Sequence, residues 1–78
     1  MPWSHAIIAE ADGTYRVEVT DEDGVMLPVA RQVTAAQAER LIQRIGAEAE
    51  ATRRPVKAVI RDPYFMAATV ITVKRLSG

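Results

Sequence analysis

The stretch Thr34–Thr52, TAAQAERLIQRIGAEAEAT, decides how the chain is read. Thr34 followed three residues later by Gln37 is a capping box. The hydroxyl accepts from a free backbone N–H, and the glutamine side chain reaches back to the cap. Ala38, Leu41, Ile42, Ile45 and Ala49 then recur at helical spacing as one apolar stripe. Glu39, Arg40, Gln43, Arg44 and Glu48 take the rest of the surface. Gly46 costs about 1 kcal/mol relative to alanine in a helix interior, so it either allows close packing or is simply tolerated. The helix is predicted to end near Ala51 or Thr52, because the residue before Pro55 resists helical geometry.

Upstream of this helix the pattern has a period of two. Ser4 to Ala11 is a strand candidate containing Ile7 and Ile8, and Thr14 to Thr20 alternates Tyr15, Val17 and Val19 with Arg16 and Glu18. Asp12-Gly13 between them is a hairpin signal, since a two-residue type I′ turn needs positive φ at both positions. Such a turn places Ala11 opposite Thr14, Ile8 opposite Val17 and Ala6 opposite Val19. The second turn, Asp21-Glu22-Asp23-Gly24, has two readings. A two-residue turn puts Val17 opposite Ala30; a three-residue loop with a left-handed Gly24 puts Val19 opposite Leu27 and Val17 opposite Val29. The second is preferred because it brings the larger apolar residues together. Pro28 removes a ladder donor, so the third strand is read as an edge.

Downstream, Val56 to Arg61 reads as a fourth strand, Asp62-Pro63 as a turn, and Met66 to Leu76 as a long β run rich in branched residues. The expected fold is one α+β domain over residues 1–78. A mostly antiparallel sheet carries one amphipathic helix on one face, in the order βββαββ. A single helix covers one face of such a sheet, while Ile7, Ala9, Ile71 and Val73 leave the other apolar. The expectation is a homodimer whose interface includes these four residues.

The chain has 78 residues, 49% apolar, with ten bases, ten acids and no cysteine. That composition excludes disorder and a disulfide framework. It contains no apolar run of the roughly 18 residues that a membrane helix needs. Met1-Pro2-Trp3-Ser4-His5 has neither the basic start nor the apolar stretch of a signal peptide, which leads to the expectation of a cytoplasmic protein without a membrane partner. The neutral total conceals an asymmetry. Residues 1–30 carry one base and six acids, residues 31–78 nine bases and four acids. Acidic turns and a charged helix explain this plainly; a dipolar surface that steers a charged partner is the sharper alternative. The arginine-rich, compact, cysteine-free composition suits a small phage or mobile-element protein.

The inventory of chemical groups is thin. His5 is the only histidine, and Ser4 and Ser77 sit at the chain ends outside any G-x-S-x-G context. No spacing suits a histidine-rich zinc site, an EF-hand or a phosphate loop, so no metal, cofactor or enzyme activity is expected. Three features remain as binding candidates. Tyr64-Phe65-Met66 and the terminal Trp3 are candidate partner contacts, since aromatics and methionine are enriched at interface cores. The third is a basic set, Arg53, Arg54, Lys57 and Arg61, joined by Lys74 and Arg75 if the last two strands pair, which would contact nucleic acid through phosphates.

Gly13-Thr14-Tyr15-Arg16-Val17, Asp23-Gly24, Val33-Thr34 and the helix with Ala38 and Leu41 resemble the three-strands-then-helix pattern of arm-type DNA-binding domains of tyrosine recombinases. The resemblance covers about half the chain and implies a DNA-facing sheet of basic and aromatic residues. The acidic hairpins here depart from that pattern, and the family is not assigned. The functional expectation is a small non-catalytic interaction module. It would bind a protein partner through an uncovered sheet face or the Tyr64–Met66 region, with nucleic-acid binding as the alternative.

Overall fold

A computed structural model describes residues 2–76. Three strands, β1 (Ser4–Ala9), β2 (Tyr15–Thr20) and β3 (Met26–Val33), form an antiparallel sheet in the order β1-β2-β3. Three helices follow: α1 (Ala35–Thr52), α2 (Val56–Ile60) and α3 (Pro63–Lys74). The order is therefore βββααα, a small α+β fold.

Both hairpins use the same three-residue turn. The Glu10 N–H donates to the Thr14 carbonyl (2.8 Å) and the Gly13 N–H to the Glu10 carbonyl (3.2 Å). In the second turn the Asp21 N–H donates to the Val25 carbonyl (2.8 Å) and the Gly24 N–H to the Asp21 carbonyl (3.0 Å). Gly13 and Gly24 have φ of 86° and 82°, a left-handed backbone that a side chain would strain. The two-residue turn expected at Asp12-Gly13 does not form. The extra residue moves the register by one, so Ile7 faces Val17 and His5 faces Val19, in place of Ile8 and Ala6. In the second hairpin Val19 does face Leu27, but a register shift between Val17 and Glu18 pairs Val17 with Ala30 and not with Val29.

The capping box at α1 is present in full. Thr34 Oγ1 accepts from the Gln37 N–H (3.1 Å), and Gln37 Oε1 accepts from the Thr34 N–H (2.9 Å). Ala38, Leu41, Ile42 and Ile45 are buried, and α1 lies across all three strands. Arg53 ends the helix in the left-handed region (φ 55°), with its N–H directed at the Ala49 and Glu50 carbonyls.

The two expected C-terminal strands are helices. Val56 and Val59 are buried at i, i+3 spacing, and Phe65, Thr69 and Val73 line up at i, i+4, i+8 toward the core. Asp62-Pro63, read as a turn, is a helix start: Asp62 Oδ1 accepts from the N–H groups of Tyr64 (3.0 Å) and Phe65 (3.1 Å), with proline at the first helical position. The β-branched run Thr69-Val70-Ile71-Thr72-Val73 has strand propensity, and tertiary packing overrides it.

α2 and α3 pack against α1 and against each other. Gln37 Nε2 donates to the carbonyls of Lys74 (3.3 Å) and Leu76 (2.9 Å), while Arg54, just past α1, pairs with Asp62 (3.5 Å). The end of α3 thus meets the start of α1, and the two run antiparallel. One core results, of Val17, Val19 and Val33 from the sheet with Leu41, Ile45, Val56, Val59 and Val73 from the helices.

Candidate functional site

The corrected register changes what the sheet presents. Ile7 turns toward the helices and packs against the core, and Val73 is buried. Ala9 is exposed at the end of β1, and Ile71 is exposed on α3. The four residues expected to share a dimer-forming sheet face therefore lie on different surfaces. The outer sheet face is instead charged. The Arg16 guanidinium donates to Glu10 Oε2 (3.2 Å) and Glu18 Oε2 (3.3 Å), and Arg31 lies 3.7 Å from Glu10 Oε1. This face differs from the basic and aromatic sheet of the arm-type domains. The apolar residues expected in two further strands lie in α2 and α3, which pack against α1.

The basic set does not form one patch. Lys57 forms an ion pair with Asp23 at the tip of the second hairpin, which holds the ammonium above and the carboxylate below their ordinary pKa values. Arg54 pairs with Glu48 (3.6 Å) and Asp62. Arg53 terminates α1. Lys74 and Arg75 lie at the far end of α3 from Arg61, about 18 Å away along a 12-residue helix. The acidic hairpin and the basic segment that the sequence separates are joined here, since Glu22 Oε2 also accepts from the Val56 N–H (2.7 Å).

Tyr64, Phe65 and Met66 divide. Phe65 and Met66 pack against the core, while Tyr64 is 87% exposed. Tyr64 heads a stripe with Ala67, Ala68 and Ile71 on the outer face of α3, all exposed. From Pro63 to Val73 no side chain is charged. The exposed surface of α1, by contrast, carries Glu39, Arg40, Arg44 and Glu50. A helix apolar on every side is one that burial on both sides would satisfy. The exposed stripe was hidden in the sequence because reading residues 66–76 as a strand put alternate residues, and not every third or fourth, on one face.

Trp3 is half-buried and stacks on α1 at Gly46, where an added Cβ would lie 3.2 Å from its ring. Its ring centroid is 6.3 Å from that of His5. Trp3 and His5 form one wall of an open groove of about 790 Å³, with Ile42, Gln43, Gly46 and Glu50 of α1 opposite. The groove continues past His5 and Ile7 along Glu39, Ile42 and Gln43. Among the described residues, no three His, Asp or Glu side chains are placed to hold a metal ion, and no helix is long and apolar enough to cross a membrane. No family model matches the chain, and no curated protein or solved structure matches it.

Proposed function

We propose that the protein is a small non-catalytic interaction module that works as a homodimer, joined through the outer face of α3. The observation that carries this reading is the charge-free stretch of α3 from Pro63 to Val73 with its exposed Tyr64-Ala67-Ala68-Ile71 stripe. The stripe is self-complementary. In a twofold antiparallel pair of α3 helices centred between residues 67 and 68, the alanines meet at the centre and each Tyr64 covers the other copy's Ile71. Small residues at the crossing allow close approach, and an isologous contact of this kind closes on itself. One helix pair buries less than the roughly 1,200 Å² of a standard interface, so association in the micromolar range is expected.

Sedimentation velocity between about 10 and 500 μM tests this. The expected result is a concentration-dependent dimer that Ile71→Glu converts to a monomer with unchanged helical circular dichroism. A monomer at every concentration overturns the reading. The nucleic-acid alternative rests on Arg53, Arg61, Lys74 and Arg75, which have no carboxylate partner among the described residues but are spread over both ends of α3. It predicts a steep loss of binding between about 50 and 200 mM salt, where an apolar helix pair changes little.

A further inference from the structure

We infer that the free edge of β1 is a docking site for an extended, basic-flanked peptide segment of a partner protein, which adds to the sheet as a fourth strand. The backbone is the first observation. The Glu10–Thr14 hydrogen bond fixes the alternation of the β1–β2 ladder, so Ser4, Ala6 and Ile8 face β2 with their backbone groups. His5, Ile7 and Ala9 then direct their N–H and C=O groups away from the sheet, along an edge with no strand beside it among the described residues.

The other edge is the second observation. β3 is blunted in three ways: Pro28 lacks a donor, the pairing with β2 shifts register twice, and Gln32 sits at φ 57° next to the charged Arg31. β1, with the sequence SHAIIA, has no proline, bulge, Lys, Arg, Asp or Glu. One edge of this small sheet is protected and the other is not.

The groove between β1 and α1 defines the occupant. Trp3, Ile7 and Ile42 give it an apolar lining, onto which alternate side chains of an added strand would project. Its rims are acidic. Glu50 lies at the Trp3 end and Glu39 at the Ile7 end, both exposed and without a cation partner among the described residues. They are eleven positions apart on the helix, about 16 Å, the span of about five strand residues. A segment with apolar residues inside and Lys or Arg at each end matches this pattern. A second copy of this chain does not: antiparallel β1–β1 pairing about a twofold axis would set Glu39 and Glu50 of one copy against Glu50 and Glu39 of the other.

Titration of the isotope-labelled full chain, followed by amide NMR, tests this. The probe is a six-residue peptide of alternating valine and threonine with a lysine at each end, which sets the lysines about 16 Å apart; its counterpart has glutamates there. The expected result is shifts confined to β1 and the facing side of α1. The amides of His5, Ile7 and Ala9 should become protected from exchange, and the glutamate-ended peptide should bind at least tenfold more weakly. Glu39→Lys with Glu50→Lys, both surface changes, should reverse that preference. The monomeric Ile71→Glu chain should bind as the wild type does, which keeps this site separate from the α3 contact. The inference is overturned by no shift at millimolar peptide, by equal binding of both peptides, or by protection of the three amides in the free chain that rises with protein concentration. The last outcome identifies the occupant as a second copy.

Discussion

Gly46 is the residue whose presence the neighbours explain most directly. Helix propensity argues against it, yet an alanine Cβ would press on the Trp3 ring at 3.2 Å, so the glycine makes room for the tryptophan. The two residues should therefore be coupled. In a Trp3→Ala background, Gly46→Ala is expected to stabilise the chain by about 1 kcal/mol, the propensity difference alone. In the wild type the gain should be smaller or reversed, because the ring must shift. Urea unfolding of the four chains of this double-mutant cycle measures the difference. The sequence displayed the anomaly of a glycine inside a strong helix. It could not display the cause, since Trp3 lies 43 positions away and its approach depends on the register of β1.

At the scale of elements, α1 was legible because all its signals are local: a cap, a stripe and a stop within 22 residues, ending at Pro55. α3 was not, because both of its faces are apolar and its residues are β-branched, so neither period stands out. Its one clear local signal was Asp62-Pro63, an N-cap followed by proline at the first helical position. That cap is open to test. The N–H groups of Phe65 and Tyr64, with Arg54 nearby, hold the Asp62 carboxyl below the ordinary aspartate range. A carboxyl lowered in this way adds stability that is complete above its unfolded pKa of about 3.9 and disappears as pH falls through the folded value. Asp62→Asn keeps a good cap and removes only the charge. Its stability deficit against wild type is expected at pH 7 and should shrink steadily below pH 4 in denaturant titrations. A deficit independent of pH would show that the charge has no role.

For the molecule as a whole, the sequence supplied the class and the first four elements, and it misjudged how the remaining apolar residues are distributed. The one-residue error at the first turn carried far. It exchanged Ile7 with Ile8 and created an apolar outer sheet face that the chain does not have. The charge asymmetry between the two parts of the sequence proved to be partly internal. Asp23 and Glu22 at the tip of the acidic hairpin hold Lys57 and the start of α2, and Glu10 faces Arg31. Those contacts leave less free charge than the linear tally suggested.

The repetition of one tight turn between three consecutive strands has a consequence for time. Each strand pairs only with its neighbour in the chain, and only the docking of α1 on the sheet and of α3 on α1 joins distant parts of the sequence. No long loop has to close before the first contacts form, so the entropy barrier to ordering is spread over small steps. Hairpins of this kind form on the order of microseconds in isolation. Stopped-flow refolding is expected to be complete within milliseconds; a main phase lasting seconds would mean that the rate is set by something other than the local connectivity of the fold.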